Sequence, residues 1–442
     1  MVGDGGSGRS KRIDAWTTGL VCVSIVAGGV IVGGFLHDPE PELTTAPPTT
    51  TTIAPQPEPE HTYRTPPVVY PTEIPGCETV DPPGDDQAFG WMSVDAFGYD
   101  NPEFPWFSAR KAMAMSTALR EALPDGVVVG FGPLEDSLLF GPIVAGPEGT
   151  SFGDFTDARA TVWRGENAGS LWVTVRQSAE PIPPCVAGVL DERRTLADGT
   201  VVDTHDTWSE VDGVRTLSRH AVVYLPDGSV VGANADDRPG DEQPTGTVPL
   251  TVEELVALAT LPELRVSAPV PPGTPDAPEK CSLSVDDAPE IEEAAARRLN
   301  EALARVPVSG LVFDHPLGDL RPTVFSGGLC QSVRVGVEGQ QSRLTVTVAT
   351  GQELPSDSAS SSPEDRKTVR RSADGSVLET EESRSSVVRE SGTATSNIRR
   401  TVTVTHPSGT RIRVSSDAEG PVEPVAMEQL EAIATAPGLE VS

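Results

Sequence analysis

Basic residues are scarce in this chain: 33 Lys and Arg stand against 65 Asp and Glu, a formal net charge of −32. So few cations exclude a nucleic-acid partner, whose phosphates demand Lys and Arg patches. They also disfavour adhesion to an anionic lipid surface anywhere beyond an inserted anchor. Aromatic residues are only 5% of the 442, while glycine and proline number 42 each. That composition excludes one large helical core and points to two or three small β-rich domains joined by irregular chain. Chemical signatures are missing too. There is no P-loop, no Rossmann fingerprint, no HExxH and no kinase motif. No CxxC or Cys/His cluster offers zinc a site, and His37, His61, His205, His220, His315 and His406 lie scattered without metal-ligand spacing.

One long apolar run is present. Ala15 to Leu36 carries no charge, with Arg9, Lys11 and Arg12 before it and Asp38, Glu40 and Glu42 after it. A helix of that length rises about 30 Å, enough to cross the hydrocarbon core. The basic flank keeps residues 1–14 in the cytoplasm and exports everything from residue 37 onward. A cleaved signal peptide is the competing reading. The run is long for an h-region and no A-x-A site follows closely, so 15–36 is expected to stay as a single-pass anchor. Gly29 and Gly33 form a GxxxG that permits close approach of two helices and hence a homodimer in the membrane, although glycine is also simply common there. Residues 37–75 are dominated by Pro, Thr and Glu, as in Pro47-Pro48 and Thr49 to Thr52, and read as a disordered, extended stalk.

Beyond the stalk the sequence repeats itself. LTVEELVALATLPELRVS from Leu250 recurs as VAMEQLEAIATAPGLEVS from Val425, and ADGTVVDT from Ala197 as ADGSVLET from Ala373. VVYLPDGSVVGANADD from Val222 parallels VTVTHPSGTRIRVSSDA from Val402. LWVTV from Leu171 parallels LTVTV from Leu344, and ALREAL from Ala118 parallels RLNEAL from Arg298. Five matches in one order imply two copies of one domain, 76–268 and 281–442, with 269–280 as a Pro-rich linker. Each copy opens with an amphipathic helix, near 108–123 and 289–305, with Pro289 placed in the first turn of the second. Alternating runs follow, among them Leu171–Val175, Arg215–Tyr224, Leu344–Val348 and Arg399–Thr405, punctuated by Asp-Gly and Ser-Gly turns. A closing helix completes each copy, with Thr251 and Glu254 forming a capping box. The expected fold class is α+β, each copy an antiparallel meander with helices on one face, and copy-to-copy pairing a means of covering the sheet edges.

Cys22 falls in the apolar run, and Cys77, Cys185, Cys281 and Cys330 fall in the exported part, two per copy. Of the three pairings open to four cysteines, Cys77–Cys185 with Cys281–Cys330 keeps each bridge within one copy. Other features are weighed and set aside. Gly149-Thr150-Ser151-Phe152-Gly153 matches G-x-S-x-G but lacks the strand before and the helix after that a nucleophile elbow requires. Asp236, Asp237, Asp241 and Glu242 make an acidic loop without EF-hand spacing. His205 and His220 are placed on one hairpin with Asp203 and Asp206. The aromatic prelude Phe89, Trp91, Phe97, Tyr99, Phe104, Trp106 and Phe107, peculiar to copy one, reads as core contributed by an extension.

The copies end on a PDG or PSG hairpin, then L-T-x-E-x-L-x-x-[LI]-A-T-x-P, with Val425-Ala426 standing for the Leu-Thr in copy two; Val222–Asp237 with Leu250–Val266 and Val402–Ala418 with Val425–Val441 carry it. It resembles uncharacterised single-pass membrane proteins of actinobacteria. The resemblance implies an extracytoplasmic address and supplies no catalytic residue or cofactor. The expectation is a non-catalytic binding or sensing module of the cell envelope, taking an envelope protein or small ligand as partner. A structural or assembly factor stands second and a cell-wall hydrolase third.

Overall fold

The computed structural model describes residues 69–83, 98–143, 154–240, 242–281, 288–323, 326–337, 340–355, 366–388 and 394–441. The apolar run with Gly29 and Gly33, the stalk as far as residue 68, and the GxSxG segment lie outside the described residues. Among the described residues no helix is long and apolar enough to cross a membrane.

Copy one opens with α1, Ala109–Glu121, whose N-cap Ser108 accepts a hydrogen bond from the Lys111 amide. Ala112, Met115 and Leu119, spaced three and four apart, are fully buried on one face. Seven strands follow: β1 Val127–Val129, β2 Phe155–Arg164, β3 Asn167–Gln177, β4 Glu192–Thr195, β5 Val201–Val211, β6 Val214–Tyr224 and β7 Ser229–Asp236. The closing helix α2, Val252–Ala259, carries the expected capping box between Thr251 and Glu254. Alternation turns Val162, Leu171, Val173, Val223 and Val231 toward the helices, and Ala160, Ala221, Ala233 and Ala235 let the helices close onto the sheet.

Copy two repeats this order: α3 Glu293–Ala304, β8 Arg321–Thr323, β9 Ser326–Val337, β10 Gln340–Ala349, β11 Arg366–Arg371, β12 Val377–Val388, β13 Ala394–Thr405, β14 Arg411–Glu419 and α4 Met427–Ala434. The sheet orders are β1-β2-β3-β7-β6-β5-β4 and β8-β9-β10-β14-β13-β12-β11, antiparallel and equivalent in six strands. The copy-two counterpart of β1 is the segment Val312–Asp314 against β9, and β8 lies where copy one sets Ser137–Gly141 against β2. The duplicated motifs make duplicated bonds. Gly228 and Gly409 take left-handed φ of +84° and +86° in the turns before β7 and β14. The hydroxyl just beyond each turn, Ser229 Oγ or Thr410 Oγ1, accepts from the amide of Val266 or Val441 at 2.9 and 3.1 Å. Each closing segment is thereby fastened to its own sheet.

The α+β class and the two similar domains stand as expected, and the structure refines four details. The sheet is two meanders, joined where β3 pairs with β7, because residues 178–191 carry the chain from the sheet centre to its far edge. The strands outrun their sequence signals, and β1, β4, β8 and β11 gave none. Pro289 lies ahead of α3, in chain that crosses Gly327 so closely that a Cβ there would fall 2.0 Å from the Ala288 carbonyl oxygen. Among the described residues the two sheets do not pair with each other.

Both disulfides form as expected, Cys77–Cys185 and Cys281–Cys330, with Cα separations of 6.2 and 6.1 Å. The first gathers Ile74, Cys185 and Leu190 into a small satellite core. It also holds the leading segment along β4, where the Arg193 amide donates to the Pro75 carbonyl at 2.9 Å. Gly76 is required there: a Cβ would fall 1.7 Å from the Arg193 carbonyl oxygen. That edge of the sheet is therefore covered.

Candidate functional site

Both copies lie within one compact unit, Thr65–Ser442. One edge strand of each copy, β1 and β8, lines a common cleft of about 1260 Å³. The apolar lining comes from Val128, Val129, Phe131 and Trp163 of copy one and Ile291, Pro322 and Leu329 of copy two. Val128 and Trp163 are cross-strand partners, 62% and 40% exposed, so a sizeable apolar patch faces the opening. Gly130 permits this arrangement, since a Cβ there would meet the Trp163 indole nitrogen at 3.2 Å. Phe131 reaches across and packs against the copy-two core, with the Arg321 guanidinium 5.9 Å from its ring centre.

The polar lining carries one sign. Asp136, Glu242, Glu290, Glu292 and Glu293 contribute carboxylates, and no Lys or Arg lines the cleft among the described residues. Asp136 is paired with Arg159 at 2.7 Å and Glu293 with Arg297 at 2.8 Å. Glu242, Glu290 and Glu292 have no ion-pair partner among the described residues. Exposed carboxylates beside low-dielectric apolar walls focus a negative potential into the gap.

The two edges bounding the cleft are not alike. In β8, Pro322 has no N–H to offer a neighbour. In β1 the Gly130 amide donates to Thr161 at 2.8 Å, which fixes the alternation along the strand. The main-chain groups of Val128 and the Gly130 amide therefore face β2, while those of Val129 face away from it. Among the described residues no main-chain group pairs with β1 on that side.

A smaller chamber of about 350 Å³ lies behind Pro322 and Thr323, lined by Arg120, Glu279, His315, Gln331 and the Cys281–Cys330 bridge. The His315 Nδ1 stands 3.3 Å from Asp314 Oδ2, close enough for charge attraction but off the line of a hydrogen bond. Burial pushes the Asp314 carboxyl up, but His315 and the Arg334 hydrogen bonds outweigh it and hold the group at about 2. Arg334 bonds Asp314 and Asp276 together at 2.9 and 3.0 Å. The chamber is a joint between copies and linker.

The remaining sequence candidates find structural employment. His205 and His220 do face each other across β5 and β6, ring centres 6.3 Å apart. Asp203 shares their face and is held by Arg193 in two bonds of 2.6 Å, whereas Asp206 lies on the other face and pairs with Arg219. Burial, then the neighbouring His205, push His220 below its ordinary value. Of the acidic loop, Asp237 is fully buried and accepts from the amides of Leu217 and Gly246, Asp236 accepts from Arg238, and Glu242 alone lines the cleft. Asp241 lies outside the described residues. Among the described residues no three His, Cys, Asp or Glu side chains gather as a metal site would require. Of the aromatic prelude, Phe89, Trp91 and Phe97 lie outside the described residues, Phe107 is in the core, and Tyr99, Phe104 and Trp106 pack against it. Buried Lys111 escaped notice in the sequence: its ammonium donates to the carbonyls of Ala268, Arg265 and Glu263 at 2.7, 2.8 and 3.3 Å.

No family model matches this chain, and no curated protein matches it. Among solved structures, MucB in complex with MucA(peri) is similar at 7% identity over 63% of this chain and 92% of that one, with a TM-score of 0.14. A putative oleoyl thioesterase from Lactobacillus plantarum is similar at 9% identity over 71% and 84% of the two chains, with a TM-score of 0.13. Neither likeness is close enough to define a fold or a site.

Proposed function

We propose that this chain is a membrane-tethered, non-catalytic binding module of the cell envelope, with the cleft between its two copies as the ligand site. The observation that carries the reading is the coincidence, in one gap of about 1260 Å³, of an exposed apolar patch with carboxylates unopposed by any lining cation. Such a gap favours a ligand bearing both apolar surface and positive charge. Its described lining offers no Ser, Cys, His or Lys, and of its carboxylates Asp136 and Glu293 are held in ion pairs while Glu242, Glu290 and Glu292 are exposed to solvent, which favours binding over hydrolysis.

The tether rests on the uncharged stretch from Ala15 to Leu36, its basic leading flank and the Pro- and Thr-rich chain that follows. Two intramolecular disulfides suit an oxidising compartment. The resemblance of each copy's ending to actinobacterial single-pass proteins points the same way. In this arrangement the stalk lifts the cleft clear of the bilayer.

Two measurements test this. Protease added outside wall-stripped cells is expected to digest the chain from residue 37 onward and spare the tail; full protection overturns the topology. A photoreactive residue at Val128 is expected to crosslink a ligand in intact envelopes, and one at Val369, exposed on β11 at the opposite edge of the copy-two sheet from β8, is not. Equal yields from both overturn the assignment of the cleft.

A further inference from the structure

We infer that the cleft takes an extended, basic peptide segment, bound as an additional strand on the free edge of β1. The inference rests on the cleft being the ligand site and names its occupant. Two independent observations meet here. The first is main-chain geometry. Val129 directs its N–H and C=O groups away from β2, and among the described residues nothing pairs with them on that side. An unpaired edge of this kind is the template for strand addition. The facing edge is closed to the same use by Pro322, so a guest strand has one docking side and one register.

The second observation is charge. Glu242, Glu290 and Glu292 are exposed on the rim, have no ion-pair partner among the described residues, and face an apolar floor that contains Val128 and Trp163. A strand alternates its side chains between two faces. A segment alternating apolar and basic residues therefore sets one row against Val128 and Trp163 and leaves the other to the carboxylates. An acidic strand is repelled, and a helix leaves the β1 main chain unpaired.

The test is titration of the compact unit, residues 65–442, with a short blocked peptide of alternating lysine and valine, followed by fluorescence anisotropy. Saturable binding is expected, weakened about tenfold when valines are N-methylated along one peptide edge, since that removes main-chain hydrogen bonds and leaves the side chains intact. The alternating glutamate and valine peptide is expected not to bind. On the protein, Val129→Pro gives β1 the blocked edge that Pro322 gives β8, and a similar tenfold loss is expected. Val128→Lys is a second variant at an exposed position that the core does not feel, and it repels the same peptide. The triple change Glu242→Gln, Glu290→Gln and Glu292→Gln is expected to abolish the salt dependence of binding.

Undiminished binding by both the N-methylated peptide and Val129→Pro overturns strand addition while leaving the crosslinking test of the cleft untouched. Absence of binding overturns the basic-peptide assignment. Concentration-dependent dimers that Val129→Pro dissolves identify a second copy of this chain as the occupant and also overturn it.

Discussion

Replacing Lys111 by isoleucine puts the least visible element of copy one to a quantitative test. The repeat register that sets ALREAL on RLNEAL places Lys111 opposite Ile291, which is 7% exposed and part of the copy-two core. Isoleucine is thus the residue at the equivalent position of the other copy, where it lies just ahead of α3. In copy one, however, the ammonium closes three carbonyls of the segment leading into the linker. Removing it leaves those oxygens dry, at about 1–3 kcal/mol each. Against that loss stands relief of a buried charge. Desolvation lowers the Lys111 pKa from 10.5 to about 8, which costs the charged form on the order of 3 kcal/mol at neutral pH. The carbonyl loss is the larger, so a net destabilisation of about 3 kcal/mol is expected at pH 7.

Tryptophan fluorescence makes the assay specific to one copy. Trp91, Trp106, Trp163, Trp172 and Trp208 all belong to copy one, and copy two has none. Urea unfolding followed by emission of the exported region therefore reports on copy one. For a domain of this size the loss corresponds to a melting temperature lower by about 6–12 °C. A pH series gives a second reading. Because the folded pKa lies below the unfolded one, the unfolded chain binds the proton more tightly, and the lysine's contribution to stability rises as pH climbs from 8 toward 10.5. The wild-type minus variant difference must widen over that window. A variant as stable as the wild type, or a difference flat in pH, refutes the reasoning.

Three further outcomes are expected. Replacing Cys77 and Cys185 by serine lowers stability by about 4 kcal/mol on loop-entropy grounds and shifts the tryptophan-detected transition, while the same change at Cys281 and Cys330 leaves that transition nearly in place; equal shifts count against two separate cores. Asp314, held at about 2 against an ordinary 3.8, contributes on the order of 2 kcal/mol that is complete above about pH 4 and disappears as pH falls toward 2. Acid unfolding of copy two, followed by circular dichroism, should lose that slope in Asp314→Asn. Asp237→Ala strips acceptors from two buried amides and should cost about 2–3 kcal/mol in urea melts, with Glu242→Ala as the exposed control that changes little.

The duplicated frame was readable because its markers are local. Turn glycines, the Thr251–Glu254 box and alternating runs each act within a few residues, and their recurrence in one order identified the copies. The disulfide pairing followed from two cysteines per copy. The edge strands were not readable: β1 is Val-Val-Val with its partner more than thirty residues downstream, and β8 contains a proline. Nor does any local signal announce that β3 pairs with β7, since long-range pairing is settled by the shared core. Pro289 suits the first turn of a helix by its position, yet α3 begins only at Glu293, and the chain before it crosses close over Gly327. The cleft assembles from separated stretches between Val128 and Leu329, and its acids looked no different from the many others. Lys111 did leave a trace: a charge in one copy where the other has isoleucine.

The linker is bolted at both ends. Ala268 is held by Lys111, the Ala277 amide donates to Ala109, and Asp276 bonds Arg110 of one copy and Arg334 of the other at 3.0 Å each. Glu279 adds Arg343 at 2.5 Å. Domains on a slack tether swing by default, and a connection cross-braced in this way forbids the swing. The gap between β1 and β8 is therefore a jaw set to one width. A guest that fits loses little to reorganisation of its host, and one slightly too thick finds no give.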